Sequence, residues 1–286
     1  MSTLMLTHYA CIGHEPGKGH PESPNRLKSV ISTLEAETFN DLIRRVAPLG
    51  SIEQISRVHP RDHVEAVLDA IPTEGRRALD PDTIASPGSG DAALRAAGAA
   101  CTAVDAVLTG AADNAFCAVR PPGHHAEQAK SMGFCLFNSI AVGAEHARAE
   151  HGLTRVAVVD FDVHHGNGTQ AIFWDKADLF YASTHQYPFY PGSGGASERG
   201  ASDNIVNAPL SQMSGSLQFQ DAFSNAILPA LRGFQPELIM ISAGFDAHAD
   251  DPLASLMLND EDYRWVTTAL MDAANDVCEG RIVSML

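Results

Sequence analysis

The chain is short of charge, and shortest of positive charge. Charged residues are only 19% of its 286, Lys and Arg number 19 against 35 Asp and Glu, and the formal net charge is −16. That balance argues against a phosphate backbone as partner, because such binding rests on cations releasing counterions. It is compatible with basic proteins or amines as substrates, although charge alone discriminates weakly. Cysteine is sparse and scattered: Cys11, Cys101, Cys117, Cys135 and Cys278 form no CxxC pair, so neither a disulfide framework nor a zinc ribbon is indicated. The opening residues, MSTLMLTHYACIG, lack the basic region and long apolar core of a signal peptide. No apolar run approaches the roughly 20 residues of a membrane span. Repeats, low-complexity stretches and linkers are also missing. The expectation is a single cytoplasmic globular domain over residues 1–286, with no nucleic-acid or membrane partner and with homo-oligomerisation left open.

Short apolar segments alternate with amphipathic ones. Strands are expected at Leu4–Leu6, Ala115–Val119, Val156–Val159, Leu179–Ala182, Leu238–Ser242 and Arg281–Leu286. Helices are expected from Pro24 to about Glu37, from Pro60 to about Ala70, and over Asp91–Leu108, Asn138–Glu150, Ser216–Arg232 and Asp260–Val277. Ser51 and Gln54 fit a capping box, and Gly110 and Gly152 fit helix stops. Buried strands between helices predict an α/β fold with a mainly parallel central sheet covered on both faces. In such sheets the site lies beyond the carboxyl ends of the strands. The densest polar groups follow four of the expected strands: RPPGHH, VDFDVHHGNG, STH and AGFDAHADDP.

Asp162 and His164 are two residues apart, so an extended segment would point both to one side. With Asp246 they make a three-ligand set that balances a divalent cation and leaves room for water and substrate. Ligands of nitrogen and oxygen alone leave zinc, iron and cobalt open. A water activated there still needs a base, and a leaving amine needs an acid. The tandem His124 and His125 offer imidazoles that do both near neutral pH. Asp160 and Asn167 would orient ring nitrogens. Gly133-Phe134 and Phe189-Tyr190 supply aromatic faces suited to a narrow channel for an aliphatic chain.

With these motifs assembled, the chain resembles the zinc-dependent histone deacetylase family, in particular class II-like bacterial deacetylases and amidohydrolases. The resemblance is carried by HPESPNR (20–26), RPPGHHA (120–126), MGFCLFNS (132–139), VDFDVHHGNGTQ (159–170), YPGSG (190–194) and GFDAHADDPL (244–253), in family order over most of the chain. It implies an arginase-like three-layer α/β fold and removal of acetyl groups from acylated lysine or similar amines. It implies that Asp162, His164 and Asp246 bind Zn2+, that His125 is the general base and acid, and that His124 assists electrostatically. Asp160 matches the partner of the first histidine, and Asn167 that of the second, where other branches carry Asp. Gly133, Phe134 and Tyr190 match the acyl-lysine channel, and Asp82 the rim residue that holds the substrate backbone. Ser183, with main-chain oxygens of Asp160, Asp162 and His164, matches a structural K+ site. The family also carries a catalytic tyrosine just after the strand matching Arg281–Leu286, so the domain is expected to lack that C-terminal segment.

Three other readings stand beside this one. Acetylpolyamines or other small acetylated metabolites are the alternative substrates. Polyamine-selective relatives carry an acidic gatekeeper where this chain has Leu253, although Asp250 and Asp251 are close by. A non-catalytic acyl-lysine-binding module is the alternative of a different class. A ureohydrolase would share the fold but use two metals, and only one ligand set is visible here.

Overall fold

A computed structural model describes all of residues 1–286. Ten strands and nine α-helices follow one another along the chain. The first half carries β1 (Thr3–Thr7), α1 (Pro24–Leu34), β2 (Ile43–Val46), α2 (Ile52–Ile55), α3 (Arg61–Asp69), β3 (Arg77–Asp80), β4 (Thr83–Ala85), α4 (Ser89–Leu108), β5 (Asn114–Cys117) and α5 (Ser139–His151). The second carries β6 (Val156–Asp160), α6 (Asn167–Phe173), β7 (Leu179–Gln186), β8 (Ile205–Leu210), α7 (Ser216–Ala222), α8 (Leu228–Phe234), β9 (Leu238–Ser242), α9 (Asp260–Cys278) and β10 (Ile282–Met285). Eight strands form one all-parallel sheet in the order β2-β1-β5-β10-β9-β6-β7-β8, and β3 and β4 pair separately as a hairpin. This is the parallel α/β architecture expected from the alternation of segments.

The central strands bury both faces, as a parallel sheet clad in helices must. Val156 and Val158 of β6, with Leu238 and Met240 of β9, join the larger core, which is filled by α4 and α5. Their neighbours Ala157, Val159, Ile239 and Ile241 join the core beneath α7 to α9. The alternation of side chains along each strand therefore feeds two separate cores.

Several local expectations change. The segment β7 runs on to Gln186, so Ser183, Thr184 and His185 lie inside a strand instead of in its exit loop. Neighbouring β8 pairs with it along this extra length and keeps it extended. The helix expected over Ser216–Arg232 is interrupted by a π segment, Phe223–Ile227, just before Pro229. The strand β2 has no counterpart among the expected strands: all four of its residues are exposed at the sheet edge, which leaves it no apolar alternation. The Ser51–Gln54 capping box forms in full.

The weight of the central strands gives one expectation. Met240 is wholly buried, and α5 approaches so closely that a Cβ at Gly143 would stand 2.6 Å from Met240 Cε. The Met240→Ala substitution should cost about 2–5 kcal/mol. It should lower the urea midpoint without changing the slope of the transition. A midpoint equal to wild type would contradict this packing.

Candidate active site

The β6 exit turns immediately. Asp162 Oδ1 accepts from the His164 backbone N–H at 2.8 Å, a short Asx-type turn. Asp162 and His164 thus face the same way because of a turn, where the sequence suggests the pleat of a strand. His164 Nδ1 lies 3.0 Å from Asp162 Oδ1 and 3.0 Å from Asp246 Oδ2. Asp246 arrives from the β9 exit and is anchored by its other oxygen, which accepts from the Val163 N–H at 2.9 Å. Ligand atoms of all three residues lie within 4.8 Å of one another. The Phe189 ring stacks on His164 at 5.4 Å. Gly244 makes room for the carboxylate: a Cβ there would meet Asp162 Oδ2 at 2.1 Å.

This donor set fits a divalent cation. Burial opposes charging His164, but the two flanking carboxylates hold its pKa up at about 10. Burial and the Asp162 charge raise the pKa of Asp246. Two carboxylates gathered round one imidazole are the balance a cation offsets, and its entry displaces the imidazole proton.

The β5 exit loop brings in the histidine pair, with ring centroids 4.0 Å apart. The two rings have different partners. His124 Nδ1 lies 2.9 Å from Asp160 Oδ2, and His125 Nδ1 lies 2.8 Å from Asn167 Oδ1. Burial works against a charged His124, yet Asp160 and Asp162 overcome it and lift its pKa to about 9. Burial, with the nearby His124 and His164, pushes His125 well below the usual range. The carboxylates thus favour the charged form of one ring, and burial favours the neutral form of the other.

A cavity of about 410 Å³ covers this floor of His124, His125, Asp162, His164 and Asp246; Asp82, Gly133, Phe134, Tyr190 and Leu253 are among its walls. Gly133 has φ +58°, and a Cβ there would stand 2.3 Å from His125 Cδ2. Asp82 Oδ1 accepts from the Gly133 N–H at 3.1 Å and from the Thr83 hydroxyl at 3.0 Å. Asp251 also lines the cavity beside Leu253, so an acidic side chain does face it, while Asp250 points to solvent. Ser183 is wholly buried in β7, in register with Asp160, and its hydroxyl lies 2.9 Å from His185 Nδ1.

Two contributors escape the sequence reading. The Tyr181 hydroxyl donates to Asp160 Oδ2 at 3.2 Å and accepts from the Gly166 N–H at 2.9 Å. An apolar strand gives no sign that one of its aromatics ends on a carboxylate. Glu22, in HPESPNR, is buried against Arg120 of RPPGHH and accepts from both Nε and Nη2 of its guanidinium, with His14 Nε2 at 3.3 Å. This ion pair pins the N-terminal loop to the loop that carries the histidine pair. A second cluster, Asp105, His146 and His151, also gathers ligand atoms. There Arg57 donates to His146 Nδ1 at 2.8 Å, so Nε2 carries hydrogen toward Asp105 and the guanidinium opposes a cation.

The chain matches the histone deacetylase domain over residues 20–286. It is 43% identical over 271 residues to a histone deacetylase-like amidohydrolase of Pseudomonas aeruginosa, covering 93% of this chain and 71% of that protein. It is 38% identical over 269 residues to a probable deacetylase of Methanothermobacter thermautotrophicus, covering 92% and 80%. The solved HDA15 HD domain superposes with a TM-score of 0.94 at 34% identity, covering 100% of this chain and 82% of that one.

Two expectations follow from these contacts. Burial raises the Glu22 pKa, but His14 and Arg120 outweigh it and bring it down from 4.5 to about 2. A carboxylate depressed on folding contributes stability above its unfolded pKa and loses it as pH falls through the folded value. Stability should therefore drop by about 3 kcal/mol between roughly pH 5 and pH 2 on this account. The drop should vanish in Glu22→Gln, which is itself less stable at neutral pH; a wild-type acid profile in that variant would refute the assignment. Gly244→Ala should push Asp162 aside and weaken divalent-cation affinity by about 10–100-fold, read by competition with a chelator.

Proposed function

The chain belongs to the histone deacetylase family, and on that premise we propose that it is a zinc-dependent amidohydrolase removing acetyl or other acyl groups from acylated lysine or similar amines. The observation that carries the reading is the meeting, on one cavity floor, of the Asp162–His164–Asp246 set with a histidine pair in which Asp160 holds His124 and Asn167 holds His125. Zinc bound by these three residues would act as a Lewis acid and make a coordinated water more acidic.

The chain's own residues do the rest. His125 has Nδ1 engaged by Asn167, so Nε2 is the atom that takes a proton from the attacking water. The same nitrogen delivers the proton to the amine as the C–N bond breaks. His124, whose charged form the Asp160 carboxylate favours, would add positive potential beside the carbonyl. Gly133, Phe134 and Tyr190 flank the acyl chain, and Leu253 borders the mouth. Asp82, held at the rim by its Oδ1 contacts to Gly133 and Thr83, would accept from a substrate N–H. Main-chain oxygens of Asp160, Asp162 and His164, with Ser183, would hold a structural K+ behind the site. A smaller cavity of about 210 Å³, lined in part by Met285 and Leu286, also touches His124, Asp162 and Asp246.

Acetylpolyamines are the second reading, favoured by one observation: Asp251 lines the cavity beside Leu253. An exposed pairing of that kind is worth only ~0–1 kcal/mol, so acyl-lysine remains the first choice.

The test joins metal content to turnover. Asp162→Ala and Asp246→Ala should each lose zinc by elemental analysis, while His125→Ala should keep zinc and lose about 10²–10⁴ in rate. Acetyl-lysine peptides should exceed acetylpolyamines in kcat/KM, and Leu253→Glu should narrow the gap. Full zinc in both Asp variants sinks the ligand set. Peptide binding without turnover would make the protein an acyl-lysine-binding module. A polyamine preference unmoved at Leu253 would hand the substrate to the second reading.

A further inference from the structure

Behind His125 stands a group that the catalytic reading leaves unused. Asn167 accepts from His125 through Oδ1, and its Nδ2 donates to Glu127 Oε1 at 2.8 Å. The other neighbours of that nitrogen are Met132 Sδ at 3.4 Å and the His125 carbonyl oxygen at 3.5 Å. Every group around Nδ2 is thus an acceptor, and the nearest is a carboxylate, which when ionised can only accept. The amide has one sensible orientation: nitrogen to Glu127, oxygen to His125. An oxygen facing Nδ1 requires the hydrogen to sit on Nδ1, which leaves the lone pair on Nε2.

Glu127 is well placed to hold that orientation. It follows the histidine pair by two residues, and its backbone pairs with Lys130 through bonds of 3.0 and 3.4 Å across the Gln128-Ala129 turn. It does not line the cavity over the site, so it acts through Asn167 alone.

We propose that Glu127 is a positioning residue whose carboxylate, acting through the Asn167 amide, sets the tautomer of His125. The inference rests on His125 being the proton-transfer group. Where a carboxylate in place of Asn167 would touch the imidazole directly, this chain puts the charge one amide further out. The arrangement keeps the lone pair on Nε2 in the resting site. When Nε2 gains the proton of the attacking water, the new imidazolium faces an amide dipole aligned by Glu127. When that proton passes to the amine nitrogen, the ring returns to the same tautomer, because neither Asn167 nor Glu127 exchanges a proton.

Two isosteric substitutions and their combination test this in the zinc-loaded full chain. In Glu127→Gln the side chain can donate as well as accept, so the Asn167 amide is free to turn over. Imidazole 15N shifts, with the His125 signal assigned by its loss in His125→Gln, should move from one Nδ1–H tautomer to a mixture. The kcat for an acetyl-lysine peptide should fall about 10–100-fold with KM unchanged. Asn167→Asp alone sets two carboxylates 2.8 Å apart and should also lose kcat. The double variant, Glu127→Gln with Asn167→Asp, restores complementarity. Its new glutamine amide would donate to the new carboxylate, and His125 would donate to that carboxylate's other oxygen. It should regain the single tautomer and most of kcat, a coupling that independent structural damage does not produce. A pure Nδ1–H tautomer with wild-type kcat in Glu127→Gln overturns the proposal. So does a double variant as slow as the product of the two single effects. Should Glu127→Gln fail to load zinc, Glu127→Asp, which keeps the charge but shortens the reach, is read by the same shifts. A tautomer that responds to Glu127 in a protein that cleaves no amide would uphold this inference and remove the catalytic reading instead.

Discussion

Asp160 ends β6 with no exposed surface, and its two oxygens accept three hydrogen bonds from three parts of the chain: His124 Nδ1, the Tyr181 hydroxyl and the Asp162 N–H. Burial drives its pKa up, and the His124 charge pulls it back. A buried carboxylate is costly unless it is paired and fully bonded, so these contacts are mutually dependent. The His124 ring needs the charge, the charge needs the ring and the phenol, and the Asx turn that aims Asp162 begins from the same oxygens. Gly166 follows from this crowding, because a Cβ there would stand 2.5 Å from Asp160 Oδ2 and 2.6 Å from the Tyr181 hydroxyl.

The site is a set of differences imposed on like groups. His124 and His125 are neighbours in sequence and in space, yet one faces a carboxylate and the other an amide. Of the two carboxylates beside His164, Asp246 is pushed up by burial and by Asp162, while Asp162 is pulled down because His124 and His164 outweigh its burial. Divergent environments of this kind assign roles to chemically similar residues. They arise because the β5, β6 and β9 exits meet at one end of the sheet, each bringing its own charge.

Legibility in the sequence tracks the range of the interaction. The run VDFDVHHGNG announces itself because its turn formers, carboxylates and imidazoles are contiguous, and β6 is apolar through and through. The paired expectations His124 with Asp160 and His125 with Asn167 correspond to contacts of 2.9 and 2.8 Å. What stays hidden is long-range. Tyr181 looks like one more apolar strand residue until the sheet sets it beside Asp160. The burial of Glu22 depends on an arginine 98 positions away. The strand β2 shows no period because its edge position exposes every residue, and the extra length of β7 comes from pairing with β8. The one-sided placement of Asp162 and His164 is anticipated for the wrong reason, since alternation and an Asx turn give the same result at a spacing of two.

The strand order bears on the sequence of events during synthesis. β5 and β6 follow one another along the chain, but two places separate them in the sheet, and β9 and β10 fill those places last. A nascent chain that has emerged only through β8 therefore carries two bare strand edges facing each other across a gap two strands wide, roughly 14 Å from one edge strand to the other. Its histidine pair and its Asp162–His164 turn hang on opposite banks of that gap, and Asp246 has yet to appear. Such a chain cannot seal its sheet, and open edges of this kind invite pairing with other chains. Insertion of β9 pairs it with β6 and brings Asp246 to Asp162 and His164 in the same event, so the three-residue cluster exists only once those two strands are joined.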